Sequence, residues 1–586
     1  MAKLQTRIFE YLDNIKQNYA DTFLVAGKSD TEWKTYNIHE FCRITDSISR
    51  GFIEQGLKKG DRIAIISGNR PEWNFIDFAC NQIGLVTVPL YPTLSEKDLV
   101  YILQNADVKK VFASTHELYQ KMEECVRKQD ISLDIYTFEE VEGCTHYSHF
   151  IKLGKNLITD LNPYRESVHE DDLLTLIYTS GTTGRPKGVL LTHRNLMSNV
   201  LASQHFLKPN CIKAVSFLPL CHIFERMVIY IYFYRGLQIY YSESLDHIVE
   251  DIREVQPHLF TTVPRVLEKV YDAIIAKGKE LTGLKKSLFF WAVDLGHKFQ
   301  EPPNNPFFYK IKLTLARKLI FSKWKEALGG KVELIVSGGA ALQERLGRIF
   351  WAADIQVLEG YGLTETSPVM AVNSWEEGGL KFGTVGKTLN NIEVKIAEDG
   401  EILVKGPSVS PGYFNDEAAT KEAFDENGFL KTGDIGTLSE DGFLKITDRK
   451  KEMFKTAGGK YIAPQTVENK LSESLVIGQV IVVGENQRFP SALIVPAFEE
   501  LEKWAKHKSI PYQGALELLS KPEVLDKYQR EVDKANQDLG QWETIKKFVL
   551  LPKAWTIESG EITPKLSLKR KVILSNYADI IENIYK

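Results

Sequence analysis

"YTSGTTGRPKGV", Tyr178 to Val189, follows directly on the apolar run "LLTLI" at 173–177. Glycines let a backbone turn tightly and approach a ligand. Hydroxyls and bared amide N–H groups donate to anionic oxygens, and a lysine is a mobile point charge suited to phosphate. Thr179, Ser180, Gly181, Thr182, Thr183, Gly184 and Lys187 therefore read as a phosphate-gripping loop at the end of a strand. It is not the G-x-x-x-x-G-K-[ST] loop. Counted from Gly181, that pattern meets Pro186 where its second glycine belongs and Gly188 where its hydroxyl belongs.

Outward from this loop, β-branched runs such as "RIAIISG" (62–68), "VTVPLYP" (86–92), "KKVFAS" (109–114), "AVSFLPL" (214–220) and "KVELIVSGG" (331–339) alternate with helical patterns such as 72–84. Strand and helix in alternation predict an α/β fold with largely parallel sheets covered by helices. From about 391 the texture shifts to short strands and turns, which predicts a small β subdomain over 391–447. A boundary is expected near Thr447 to Lys451, separating a large domain (1–447) from a smaller α+β domain (448–586) that holds the strands "QVIVVGEN" and "SALIVPA" and a long polar helical stretch at about 499–548. A chain of 586 residues exceeds what one core supports, which agrees with several domains.

Composition removes several classes of function. A formal charge of −4 provides no global basic surface, so nucleic acid is not an expected partner. The six cysteines lack C-x-x-C spacing, which argues against a disulfide scaffold or a zinc site and for a reducing cytoplasm. The N-terminal "MAKLQTRIFEYLDNIKQN" has no apolar segment bounded by a small-residue cleavage site, so no secretory signal is expected. The most apolar stretch, "MVIYIYFYRGLQIYY" (227–241), is broken by Arg235 and Gly236, short of the ~20 residues a spanning helix needs. Core burial is its first reading and peripheral contact with the inner membrane face the second.

Four more clusters belong with the opening loop. "EGYGLTETSP" (359–368) offers Tyr361 to stack on a base, Gly362, the Thr364 hydroxyl for phosphate and the Glu365 carboxylate for Mg²⁺. "KTGDIG" sets Asp434 between glycines, either as an acceptor of ribose hydroxyls or as a plain Asx turn. "TDRKKEMFKTAGGKY" carries Arg449, Lys450 and Lys451 at the domain boundary. "GEITPKLSLKRKVI" ends the chain with Lys565, Lys569, Arg570 and Lys571.

With "LPLCHIFER", these motifs stand in the order found in the adenylate-forming superfamily, and the chain resembles that superfamily over nearly its whole length. "LPLCHIFERMVIY", "LFTTVPRVLEKVYDAI" and "KTAGGKYIAP" look in particular like bacterial long-chain fatty acyl-CoA synthetases. The resemblance implies joining of a fatty acid to ATP as acyl-AMP with release of pyrophosphate, then transfer of the acyl group to CoA. An acyl-AMP ligase serving a carrier-protein thiol, or a non-catalytic nucleotide or fatty-acid binding protein, are the alternatives.

It implies roles as well. Thr179 to Gly184 and Lys187 would hold the β- and γ-phosphates, with Thr179 also near Mg²⁺; Thr364 would contact the α-phosphate and Glu365 would hold the metal. Tyr361 and Gly362 would flank the adenine together with Ser337, Gly338, Gly339 and Ala340. Asp434 would bind the ribose and Arg449 would reach the nucleotide. His222 would lie near the reacting carboxylate or the acyl entrance, if it is not merely structural. Lys451 would be the pivot of a mobile C-terminal domain. The family's usual T-P-T-L-K-L-K-R reads "TPKLSLKR" here, so Ser567 stands where the adenylating lysine is expected. Lys565 and Lys569 flank it on one side of an extended chain, and Lys569 is preferred.

Overall fold

The computed structural model describes residues 5–29, 32–129, 132–180, 185–243, 247–302, 304–556, 558–563 and 568–586. The run "RIAII" forms the strand Arg62–Ile66, whose residues from Ile63 onward are buried, as expected of a parallel strand covered on both faces. Val86–Leu90 and Val108–Ala113 pair with it in parallel, one on each side. Outside them lie Asp134–Thr137 and Thr145–His146 at one edge, and Leu173–Ser180 with Pro186–Thr192 at the other. A second sheet runs in spatial order Lys387–Thr388, Val369–Val372, Gln356–Gly362, Leu334–Ser337, Leu259–Thr262, Lys213–Ser216, Gln238–Tyr241, Leu24–Ser29 and Glu32–Asn37. It is parallel in its centre and antiparallel at its ends.

Helices Ile38–Glu54, Pro71–Asn81 and Ile223–Tyr234 share one aromatic core. Phe78 lies 5.5 Å from Phe41 and 4.7 Å from Phe233, ring centre to ring centre. Pro71 opens its helix at the first turn, where its missing N–H costs nothing. The stretch from Met227 onward lies in this core, and Tyr230, Tyr232 and Tyr241 are fully buried. That rules it out as a membrane-facing surface. Among the described residues no helix is long and apolar enough to cross a membrane.

One buried ion pair ties the helices to the first sheet. Arg226 reaches Asp77 at 2.5 Å and donates to the hydroxyls of Thr87 (2.7 Å) and Thr175 (2.6 Å), and both charged side chains are fully buried. Breaking such a pair by removing one partner costs about 3–5 kcal/mol, because the other charge is left stranded.

The third sheet is the expected small β subdomain. Glu393–Ile396, Glu401–Lys405, Leu430–Leu438 and Leu444–Arg449 pair antiparallel in that order. Beyond it, Ile477–Val483 and Ser491–Pro496 form a hairpin to which Lys547–Leu550 adds in parallel. Two hydrophobic clusters here draw their buried residues only from Phe454 onward. The polar stretch at 499–548 is not one helix but three, Phe498–His507, Ala515–Ser520 and Pro522–Asn536, followed by the Lys547–Leu550 strand. Pro511, Gly514 at φ +83° and Pro522 make the breaks. The architecture is α/β, with a large N-terminal domain of helix-covered sheets and a small β subdomain, and a smaller α+β C-terminal domain.

Candidate active site

Leu173–Ser180 and Pro186–Thr192 are antiparallel partners, with Thr179 opposite Lys187 and Ser180 opposite Pro186. The loop is therefore the turn of a β-hairpin and does not feed a helix N-terminus as a P-loop does. Gly181, Thr182, Thr183 and Gly184 lie outside the described residues. A second segment is laid on this hairpin: Phe414 N–H donates to Gly188 O (2.7 Å) and Leu190 N–H to Gly412 O (3.0 Å). That pairing brings the Tyr413 ring under Lys187, with Nζ 5.2 Å from the ring centre.

The Gln356–Gly362 strand delivers the next group. At Gly362 a side chain would collide with the Pro368 carbonyl, so only glycine fits the backbone's fold-back. The short turn Thr364–Thr366 then packs against the Pro186–Thr192 strand, and Thr364 is buried within it. Glu365 turns toward the hairpin, where its Oε1 accepts from the Tyr413 hydroxyl at 2.9 Å.

Asp434 sits in the Leu430–Leu438 strand, directly opposite Arg449 in the register. It is 2% exposed. Its Oδ2 accepts from the Tyr361 hydroxyl at 2.6 Å, and its Oδ1 lies 3.1 Å from Arg449 Nε. The carboxylate thus faces Tyr361 and Arg449 and is not spent on an Asx turn. Burial pushes its pKa up while Arg449 pulls it down, with burial the stronger, and the Asp434 charge in turn raises Arg449.

Leu334–Ser337 runs beside this strand, pairing Ser337 with Glu359. Ser337 is fully buried and its hydroxyl has no hydrogen-bond partner in the structure. Gly338 lies where an added Cβ would stand 3.2 Å from the Phe224 ring and 3.6 Å from Gly360 O, and Gly339 takes φ +80°. With Ala340, these residues border Tyr361. Phe224 belongs to the helix that His222 caps, the half-buried imidazole Nδ1 accepting from Phe224 N–H at 3.3 Å. His222 is thereby brought to the rim of the same cleft in a helix-capping position.

Thr179, Lys187, Tyr413, Glu365, Tyr361, Asp434 and Arg449 form one continuous row from hairpin to domain boundary. Residues 13–414 match the AMP-binding enzyme family, and residues 452–586 match the AMP-binding enzyme C-terminal domain. The chain belongs to the AMP-binding enzyme family. Among curated members, the long-chain-fatty-acid–CoA ligase FadD15 of Mycobacterium tuberculosis is 34% identical over 570 residues, covering 95% of this chain and 93% of that one. Long-chain-fatty-acid–CoA ligase 1 of Homo sapiens is 32% identical over 589 residues, covering 94% and 82%. The adenylation domain of a carboxylate reductase from Mycobacterium chelonae shares the fold, with a TM-score of 0.78 at 22% identity, over 100% of this chain and 92% of that one.

Within this AMP-binding chain, two expected residues stand apart from the row. Lys569 precedes the Arg570–Asn576 helix, is exposed, and uses its backbone N–H on Glu561 O at 2.7 Å. Its side chain meets none of the row in this arrangement. Lys565 and Ser567 lie outside the described residues. Lys451 is exposed in the turn after the Leu444–Arg449 strand, while its neighbour Lys450 is anchored to Asp399 and Glu401, each at 2.6 Å.

Tyr413 escaped the sequence reading. Its only local signal is the "PGY" turn at 411–413, and its partners lie far away in sequence. Among the described residues no group of three or more His, Cys, Asp or Glu side chains could enclose a metal. The Glu365 carboxylate and Thr179 hydroxyl are hard oxygen donors that suit Mg²⁺, an ion bound through one or two carboxylates together with substrate phosphates.

Proposed function

We propose that this protein is a long-chain fatty acid–CoA ligase that forms AMP. The observation that carries the reading is the row of side chains running from Lys187 through Tyr413 and Glu365 to Tyr361, Asp434 and Arg449. It spans donors for phosphate, an acid for a hard cation, an aromatic wall and an acceptor for ribose, in the order of the parts of ATP. The activities named for the relatives give the acid and the acceptor.

In the first half-reaction a carboxylate oxygen of the fatty acid attacks the α-phosphorus of ATP and pyrophosphate leaves. In the second the CoA sulfur attacks the acyl carbonyl, the thiol proton departs to solvent and AMP leaves. Joining two anions in line demands charge neutralisation and positioning. Thr179, Ser180, the loop to Gly184 and Lys187 hold the β- and γ-phosphates, and Thr364 holds the α-phosphate. Tyr361 and Gly362, with Ser337 to Ala340, wall the adenine. Asp434 accepts from the ribose hydroxyls, which its position opposite Arg449 supports. Mg²⁺, held by Glu365 with Thr179 nearby, supplies countercharge to the phosphates. His222 orients at the acyl end.

The domain boundary falls at 447–451, and Lys451 is the pivot about which the 448–586 domain turns between half-reactions. A solvated lysine can absorb the backbone change without losing buried contacts. In the adenylating pose Lys569 comes to the carboxylate and α-phosphate.

The test is product analysis with palmitate, ATP and Mg²⁺, offering CoA or an acyl-carrier protein as acceptor. The expected products are pyrophosphate, AMP and palmitoyl-CoA. A thioester on the carrier protein alone would transfer the reading to an acyl-carrier-protein synthetase, and absence of pyrophosphate release would leave only a binding protein.

A further inference from the structure

The helix Phe307–Ala316 and its continuation through Arg317–Phe321 and Ser322–Ala327 present one face to the core and another to solvent. Leu313, Ala316, Phe321 and Trp324 are buried. The outer face is apolar as well: Phe307 is 72% exposed, Phe308 77%, Ile311 53%, Leu315 49% and Leu319 42%. Four of these recur every fourth residue, so they line up along the helix. The remaining exposed large hydrophobics of the described chain are scattered through other elements. A contiguous exposed apolar stripe marks an interaction surface.

The charges around the stripe say what covers it. From Pro302 to Lys325 there is no acidic residue, in a chain whose formal charge is −4. Lys310, Lys312, Lys318 and Lys323 are exposed, and none has a carboxylate partner among the described residues. The two other cations of the segment are engaged elsewhere, Lys325 with Asp354 (3.0 Å) and Arg317 on the carbonyls of Ala352 and Trp351. We propose that this helix is a docking face for an anionic lipid bilayer, with the Phe307, Phe308, Ile311, Leu315 and Leu319 side chains in the headgroup layer and the four lysines on lipid phosphates. Aromatic and aliphatic residues on one face with lysines beside them are the chemistry of a helix lying in the interface plane. A second copy of this chain fits the face poorly. A two-fold contact would set each lysine row against its own image.

The full chain is tested by flotation with vesicles of phosphatidylcholine alone or with one third phosphatidylglycerol. Wild type should float with the anionic vesicles, lose binding as salt rises, and bind neutral vesicles at least about tenfold more weakly. Lys310→Glu with Lys312→Glu should weaken partitioning by about thirtyfold, some five- to sixfold for each cation removed. Phe307→Ser with Phe308→Ser should weaken it by at least about tenfold. All four positions are exposed, so thermal unfolding should be unchanged in both variants and serves as the check on folding. No flotation of wild type, or equal flotation of folded variants, would overturn the assignment. So would a wild-type dimer in sedimentation that the phenylalanine variant dissolves, since a second copy would then cover the face.

Discussion

The Tyr413 hydroxyl donates to Glu365 Oε1 at 2.9 Å. The same ring lies under Lys187, so one side chain joins the acid suited to Mg²⁺ to the cation suited to phosphate. Burial, and then the Glu365 charge, raise the Tyr413 pKa, which keeps the phenol protonated and donating at any physiological pH. Tyr413→Phe keeps the ring under Lys187 and removes the tether. A hydrogen bond to a charged group is worth about 1.5–3 kcal/mol, so acyl-AMP formation should fall roughly 10- to 100-fold and half-saturation should need more Mg²⁺. Wild-type rates with an unaltered Mg²⁺ titration would show that Glu365 is oriented without Tyr413. Glu365→Gln in a folded protein should cost on the order of 10²-fold or more.

Asp434→Asn should behave differently. Binding of the ribose is shared by ground and transition states, so its loss raises KM for ATP while kcat stays nearly constant. Steady-state kinetics over a wide ATP range decide it. A fall in kcat at unchanged KM would mean that Asp434 works through Arg449 on the reacting phosphate instead.

Sequence alone revealed the parts of the site whose signal is local. The Arg62–Ile66 and Val86–Leu90 strands announce themselves because a parallel strand covered on both faces must be a run of apolar residues. The glycines and hydroxyls after Tyr178 name a phosphate loop, since few other uses need that composition. Asp434 was undecided between ribose acceptor and Asx turn, because the partners that orient it, Tyr361 and Arg449, come from another sheet and another strand. Tyr413 and the Arg226–Asp77 pair were invisible for the same reason. Each is defined by a contact across many residues of chain, and no periodicity reports such a contact. The polar stretch at 499–548 misled because its composition is helical throughout, whereas Pro511, Gly514 and Pro522 punctuate it.

Glu225 gives a pH signature. It is fully buried, it accepts from the Ser216 hydroxyl at 2.6 Å and from the Thr261 hydroxyl, and burial pushes its pKa up to about 7 from an ordinary 4.5. Between those two values the unfolded chain is ionised at this position and the folded chain is protonated. Folding therefore takes up a proton, and stability falls as pH rises from 4.5 to about 7, by up to ~1.4 kcal/mol per pH unit, then levels. Denaturant unfolding of wild type and Glu225→Gln at several pH values reads the difference. Parallel curves for the two proteins would mean that Glu225 is ionised in the fold.

Lys569→Ala should separate the half-reactions. It removes a cation from the acid and α-phosphate but takes nothing from the attack of CoA on a finished acyl-AMP. Acyl-AMP formation should drop by roughly 10²- to 10³-fold, while thioester formation from supplied acyl-AMP stays within about threefold of wild type. Lys565→Ala is the companion variant and should be mild. A selective defect in Lys565→Ala alone would assign the role to that residue.

Activation of the carboxylate itself is read most directly by acid-dependent exchange of pyrophosphate into ATP, without CoA. Exchange should be absent without acid, rise with chain length into the long-chain range, and give way to stoichiometric AMP and acyl-CoA when CoA is added. A folded protein that supports no exchange with any acid from acetate to stearate, or that releases ADP and phosphate in place of AMP and pyrophosphate, would contradict the account.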